Sequence, residues 1–195
     1  METADTLLKV FISLFIVTVP FASLPPFLKL TKRMHWKDQA HAADKAALVS
    51  AGVLIVCTIL GPWMLEAIGV GLGSFRIAGG VMLFLISLQF VLGLSFTKEE
   101  HEKIDVALVL IAVPLITGPG AITTAVLFST TPGIGIILVL AGITLASVAN
   151  WLVLRFAQQI HNIIGTQGEE ILTRLTGLLL GSIAVEFIRK GWVGI

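Results

Sequence analysis

The sequence predicts an all-α membrane protein of six transmembrane helices, arranged as a 3+3 inverted-topology repeat. Hydrophobic residues make up 56% of the 195 residues and charged residues 13%, against about 45–50% and about 25% in soluble domains. Charged residues are also absent from four long stretches, 10–28, 46–65, 77–97 and 106–154. In addition, two proline- and glycine-containing motifs recur in the two halves. Such a composition excludes an intrinsically disordered chain and a soluble enzyme.

The charge-free stretches give the spans, because a helix needs about 20 apolar residues to cross a bilayer. The longest stretch is divided at the turn signal Thr130-Thr131-Pro132-Gly133. A sixth span follows from the shorter gap at 175–185 if Arg174 and Glu186 lie near its ends. The predicted spans are about 7–28, 46–66, 75–95, 106–128, 135–155 and 171–189. Glu2 and Asp5 replace the positive region of a signal peptide, so we expect the first span to be uncleaved.

Lys and Arg residues predict the orientation, since they accumulate in cytoplasmic segments. Nine of them lie in or beside the segments that follow spans 1, 3 and 5, which share one side of the membrane. The other four lie on the opposite side. We therefore expect both termini on the outer side of the membrane.

The internal repeat relates residues 1–100 to residues 101–195. Val19-Pro20 and Pro25 align with Val113-Pro114 and Pro119 at an offset of 94, which places Ser23 on Thr117. Arg76-Ile77-Ala78-Gly79 aligns with Arg174-Leu175-Thr176-Gly177 at an offset of 98. Each half then holds three spans, and an odd number inverts the second half, as in many secondary transporters.

Spans 1 and 4 are predicted to be broken at their proline motifs, because proline removes an N–H and clashes with the preceding turn. Irregular backbone at membrane depth has to be buried in protein or line a wet cavity. The repeat places both breaks near the midplane, facing each other. Half-helix N-termini favour a carboxylate, and C-termini favour an ammonium group or a cation. The pair of breaks indicates a site for a small zwitterionic amino acid; the alternative is kinks satisfied by neighbouring helices, without a ligand.

Candidate substrate-binding residues lie at these breaks or are polar residues within the spans: Pro20, Ser23, Pro25, Thr117, Gly118, Pro119, Gly120, Thr123, Gln89 and Asn150. The hydroxyls, including that of Thr124, have the alternative of bonding to their own helix carbonyls. Gln89 and Asn150 have the alternative of bridging neighbouring helices. Candidates for coupling or gating are Arg76, Arg174 and Glu186, with interfacial anchoring as the alternative.

Enzyme chemistry finds little support in the sequence. The span interiors hold no His, Lys or Asp that would serve an intramembrane nucleophile or base. The four His residues are dispersed rather than clustered like metal ligands, and there is no Walker A motif. We expect no enzymatic activity, no metal and no cofactor.

Three motifs in order resemble the signatures of the MarC family of prokaryotic membrane proteins: Ser74-Phe75-Arg76-Ile77-Ala78-Gly79-Gly80, Gly118-Pro119-Gly120-Ala121-Ile122-Thr123-Thr124 and Thr173-Arg174-Leu175-Thr176-Gly177-Leu178-Leu179-Leu180. The resemblance covers essentially the whole chain. It implies a six-span protein of the plasma (inner) membrane, related in fold to LysE-type exporters. Some members are described as transporters of small neutral amino acids such as glycine and alanine.

Together these observations predict a secondary transporter of small neutral amino acids that works by alternating access and is coupled to a proton or sodium gradient. The alternatives are a passive channel or a non-transporting membrane partner, and drug efflux is less favoured. Direction of transport and oligomeric state, including a homo-oligomer, stay open. Two departures from the family pattern concern Val19, where members commonly have Asn or Asp, and Glu186, where many have Gln. The departure at Val19 concerns the binding of substrate or of a coupling ion, and the departure at Glu186 concerns the coupling of transport.

Overall fold

The computed structural model describes residues 2–31, 34–93 and 117–194, which form seven helices and no strand. The helices are α1 (Glu2–Val17), α2 (Leu24–Thr31), α3 (Trp36–Ala67), α4 (Leu72–Leu92), α5 (Pro119–Ser129), α6 (Ile136–Arg155) and α7 (Ala157–Val193). Among the described residues, α3, α4, α6 and α7 are long and apolar enough to cross a membrane. The all-helical class is confirmed, and four of the six predicted spans have helices of sufficient length.

Two helices begin well before the spans predicted for them. Helix α3 starts at Trp36 rather than near residue 46, and α7 starts at Ala157 rather than near residue 171. Both helices therefore extend on the N-terminal side beyond the apolar spans predicted for them. The apolar run measures only the part of a helix that lipid covers, and polar first turns continue the same helix beyond it. Helix α7 bends at Gly165, whose φ of 64° and ψ of 177° interrupt the helical backbone.

The first predicted span is divided into α1 and α2 by the non-helical residues 18–23. Helix α5 begins at Pro119 and is the later part of the fourth span; residues 106–116 of that span lie outside the described residues. Pro25 falls in the first turn of α2 and Pro119 in that of α5. In a first turn the missing N–H of proline costs no helical hydrogen bond. Each of these prolines therefore starts a helix rather than kinking one.

Close packing of α4 against α7 forms the largest helix contact among the described residues. A Cβ atom added at Gly80 would lie 2.9 Å from the Ala184 carbonyl oxygen, and one at Gly177 would lie 3.2 Å from that of Ser87. Backbone atoms cannot rotate away as a side chain can. Glycine at these two positions therefore allows the two helices to approach, as in many membrane-helix pairs.

The central core draws on α1, α3, α4, α5, α6 and α7. Its fully buried members include Val10, Leu14, Leu54, Leu83 and Ile143. A second, smaller cluster joins α2 to α3, α6 and the start of α7; its buried members are Leu24, Phe27, Ala43, Ala46, Leu154 and Ala157. Large apolar side chains also cover the outward faces of α3, α4 and α7, where lipid would contact them.

One buried carboxylate lies at the bend of α7. Glu169 is 3% exposed, and its Oε1 lies 3.1 Å from Nδ1 of His161 across the Gly165 interruption. We predict that His161→Ala lowers the free energy of unfolding by about 1–3 kcal/mol, because a buried carboxylate loses a polar partner. Denaturant unfolding in detergent measures this change. Gln158→Ala, an exposed position whose amide bonds Asn162, is the matched control, and an equal loss in both variants contradicts the assignment.

Candidate functional site

The break in the first span satisfies much of its own backbone. The Thr18 N–H donates to the Leu14 carbonyl at 2.9 Å, and the Ser23 hydroxyl donates to the Pro20 carbonyl at 2.7 Å. The Phe27 N–H donates to the Ser23 carbonyl at 3.1 Å and so opens α2. Pro20 and Ser23 are buried, whereas Pro25 is exposed. The Ser23 hydroxyl therefore serves the backbone of the break.

Val19 has a strained backbone at the centre of this break. Its φ is 50°, in the left-handed region, and its side chain is 4% exposed. A β-branched residue is disfavoured there, whereas Asn and Asp enter that region more readily. Asn or Asp is what the resemblance implies at this position, and either would adopt this backbone conformation more readily than Val19 does. Strain of this kind is held in place by the surrounding structure.

The start of α5 carries the second break. Gly118 is the residue before the helix, Pro119 is its first residue, and the Gly118 carbonyl accepts from the N–H groups of Ala121 and Ile122. Two hydroxyls bond back into the helix at 2.8 Å, Thr123 to the Pro119 carbonyl and Thr124 to the Gly120 carbonyl.

Thr117 differs from the other hydroxyl residues at the breaks. It is 5% exposed, and its hydroxyl has no hydrogen-bond partner in the part of the chain that the structure describes. An unsatisfied buried hydroxyl is costly, and native structures contain few of them. Thr117 is therefore the hydroxyl at the second break that has capacity left for a ligand.

The two breaks meet where the end of α1 contacts the start of α5. A Cβ atom added at Gly120 would lie 3.4 Å from Cγ1 of Val17 and 2.1 Å from Cδ2 of Leu83. On the next turn, a Cβ atom at Gly79 would lie 2.2 Å from Cγ2 of Thr123. Glycines on both α4 and α5 thus bring α5 close to its neighbours and hold its first turn beside the last residue of α1.

Asn150 of α6 joins the break in the first span. Its Nδ2 donates to Oγ1 of Thr18 at 2.7 Å, and the Thr18 hydroxyl in turn donates to the Phe15 carbonyl at 3.1 Å. Asn150 is 2% exposed, and no described residue bonds its Oδ1 atom. A buried amide oxygen aligned beside the broken helix can accept a hydrogen bond from a ligand.

Gln89 and Arg174 are not among the residues that form the contact between α1 and α5, and Pro119, at the start of α5, is exposed. Gln89 is half-buried and follows Leu83 by about 9 Å along α4 at the usual helical rise. Arg174 is exposed and bonds Glu170 one turn earlier in α7. Pro119 is exposed beside the buried Gly120. Among the described residues, no three His, Cys, Asp or Glu side chains form a group that could hold a metal ion.

A cleft of about 400 Å³ lies between α1, α4, α5 and α7. Its polar lining includes Ser13, Arg76, Thr124, Ser182, Glu186 and Lys190. Ser13 lies one turn before Val17, and Thr124 lies one turn after Gly120. These lining residues are therefore about 6 Å, along their helices, from the contact between Val17 and Gly120 that joins the two breaks. The Glu186 carboxylate accepts from Arg189 at 2.8 Å and lies 3.2 Å from the Lys190 ammonium.

Sequence reasoning missed Thr18 and Ser50. Thr18 holds Asn150 at the break, and its place two residues before Pro20 was the available signal. Ser50, 2% exposed on α3, has a hydroxyl without a partner, and nothing in its apolar surroundings in the sequence singles it out.

Comparison with known proteins identifies the family. The model of the MarC family integral membrane proteins matches residues 4–195. A UPF0056 membrane protein of Methanocaldococcus jannaschii is 35% identical over 190 residues, which cover 93% of each chain. One from Buchnera aphidicola subsp. Acyrthosiphon pisum is 33% identical over 194 residues, covering 94% of this chain and 90% of the relative. One from Pyrococcus abyssi is 30% identical over 198 residues, covering 100% and 98%. These names state a membrane location and no substrate. No solved structure matches. The match along nearly the whole chain shows that the protein belongs to the MarC family of integral membrane proteins.

Proposed function

We propose that the protein is a secondary transporter of small neutral amino acids such as glycine and alanine. The substrate binds between the breaks of spans 1 and 4 and crosses the plasma membrane by alternating access, coupled to a proton or sodium gradient. Both termini lie on the outer side. The observation that carries the proposal is the junction of α1 with α5, where interrupted backbone meets inside the helical core beside a cleft. Interrupted helices at membrane depth are typical of transporter binding sites.

The pattern of helix contacts supports the 3+3 inverted repeat. In this repeat, α1 (span 1) corresponds to α5 (span 4), α3 (span 2) to α6 (span 5), and α4 (span 3) to α7 (span 6). The contact between α1 and α6 therefore corresponds to a contact between α5 and α3, and both contacts occur. The same correspondence leaves the pairs α4 with α7, and α3 with α6, unchanged, and these pairs also pack against each other. A pseudo-two-fold axis in the membrane plane requires contacts of this kind, and rocking about such an axis is one way to alternate access.

The chemistry of the junction supports a small and electrically neutral substrate. Among the described residues at the breaks, the buried polar groups are the amide of Asn150 and the hydroxyls of Thr18, Ser23, Thr117, Thr123 and Thr124. A substrate with net charge would meet no compensating ionic group among these residues, which is costly in a buried site. A zwitterion brings both charges with it, and helix termini of opposite dipole sign can stabilise them.

Counterflow in proteoliposomes tests the proposed function. We expect labelled glycine and alanine uptake that saturates with concentration and accelerates when unlabelled alanine is loaded inside. Lysine and glutamate serve as charged comparison substrates and should compete weakly. Flux that neither saturates nor shows counterflow identifies a passive channel instead. The absence of flux and of ligand-dependent thermal stabilisation, in protein that is folded and oriented in the vesicles, rules the transporter proposal out.

A further inference from the structure

We propose that the site has a fixed polarity, with the substrate ammonium bound by Oδ1 of Asn150 and the substrate carboxylate bound by the hydroxyl of Thr117 at the start of α5. This inference rests on the proposed function and deepens it, since it assigns each end of the zwitterion to a named atom. It explains two buried polar atoms that have no partner within residues 2–31, 34–93 and 117–194, on residues that are 2% and 5% exposed.

The hydrogen bonds around Asn150 determine which of its amide atoms is available. The Thr18 hydroxyl uses its proton on the Phe15 carbonyl, so its oxygen can only accept from Asn150. The Asn150 amide therefore turns its Nδ2 toward Thr18 and leaves Oδ1 as the open atom. Oδ1 is an acceptor without donor capacity, so its ligand has to supply N–H or O–H groups. An ammonium group supplies three.

Helix termini favour the same polarity. Helix α1 ends at Val17, immediately before Thr18, so the partial negative charge of its C-terminus lies beside the Asn150 contact. Helix α5 starts at Pro119, two residues after Thr117, so the partial positive charge of its N-terminus lies beside the Thr117 hydroxyl. A hydroxyl donor next to a helix N-terminus is suited to a carboxylate.

The two helix ends that carry the subsites contact each other near these residues. Val17, adjacent to Thr18, contacts the position of Gly120, three residues after Thr117. The cleft reaches within one turn of this contact from the side of Ser13 and Thr124. For subsites of opposite sign on two contacting helix ends, we expect a compact α-amino acid, whose charged groups are separated by a single carbon atom, to fit better than a long zwitterion.

Two truncated ligands and two variants test the polarity. Alaninamide keeps the ammonium and lacks the carboxylate, and propionate keeps the carboxylate and lacks the ammonium. In purified full-length protein, binding is measured by ligand-dependent thermal stabilisation and by competition against labelled alanine. We expect Thr117→Val to weaken alanine and propionate about 10- to 100-fold, the loss expected for a hydrogen bond to a charged group, while alaninamide stays within about threefold.

Asn150→Leu should give the complementary result, with alanine and alaninamide weakened to the same extent and propionate little changed. Thr117→Ser restores a hydroxyl and should recover binding. If Asn150→Leu fails to fold, Asn150→Asp replaces it in the test. Asp keeps an acceptor oxygen at this position, so alaninamide should still bind to this variant. Thr58→Val is the matched control, because the Thr58 hydroxyl is buried in α3 and bonded to the Leu54 carbonyl at 2.6 Å.

The outcomes separate the two proposals. If wild-type protein binds alanine and both variants weaken all three ligands alike, or reverse the pattern, the polarity is wrong and the transporter proposal stands. If wild-type protein binds none of the three ligands, both proposals fall together.

Discussion

Gly79→Ala is expected to unfold the protein at a temperature about 5 °C or more below that of the wild type, since overpacking a core contact costs about 1–3 kcal/mol. The added Cβ would lie 2.2 Å from Cγ2 of Thr123, 2.5 Å from its Oγ1 and 2.7 Å from its Cβ. Rotation of the Thr123 side chain leaves the last of these distances unchanged. Either α4 or α5 therefore has to move, and α5 carries the second break. We expect counterflow of alanine to be lost together with stability.

A second-site change separates this clash from a general intolerance of alanine in helices. Thr123→Gly in the Gly79→Ala background removes all three clashing atoms and should recover most of the lost stability, as a double-mutant cycle would report. Gly52→Ala is the matched control, because a Cβ there meets nothing within 4 Å. It should be neutral or stabilising by about 0.5–1 kcal/mol. A melting temperature of Gly79→Ala equal to that of Gly52→Ala contradicts the packing assigned to Gly79.

The break in the first span and the start of α5 at Pro119 were predictable because their cause is local. Proline lacks an N–H and favours the first turn of a helix, so Pro25 and Pro119 mark helix starts wherever the chain is helical. The same local rules could not predict how far α3 and α7 extend. Apolar periodicity and length report what lipid covers, and the polar first turns of both helices carry no such signal.

The partners of the polar residues depend on contacts between distant parts of the chain. The repeat aligns Ser23 with Thr117, yet Ser23 bonds the Pro20 carbonyl while Thr117 has no partner among the described residues. Sequence alignment treats the two hydroxyls as equivalent and does not show which of them is bonded. The bond between Asn150 and Thr18 joins residues 132 positions apart. One sequence does not show which residues pair over such a separation, so the place of Thr18 beside Pro20 did not identify it as the partner of Asn150.

The second large effect is expected from restoring a continuous helix in the fourth span. The double change Gly118→Ala with Pro119→Ala returns an N–H group at position 119 and replaces two residues that oppose helix by about 1 and 3 kcal/mol relative to alanine. Helix α5 can then extend backward through Gly118, which displaces its N-terminus from the junction with α1. We expect at least a tenfold lower counterflow rate for alanine, because losing one charge-stabilising contact is worth about this factor.

Unchanged or increased thermal stability should accompany this loss, which distinguishes it from the effect of Gly79→Ala. The matched control is Pro62→Ala, because Pro62 lies inside α3 and the helix continues around it without a break. Removing that proline should also favour helix, yet it changes no terminus at the junction, so counterflow should stay at the wild-type rate. Full counterflow by the Gly118→Ala, Pro119→Ala protein, with the helix continuous by circular dichroism, would show that transport does not need the interrupted backbone at α5. The site would then have to depend on side chains alone, and the start of α5 would lose its assigned role in holding the carboxylate.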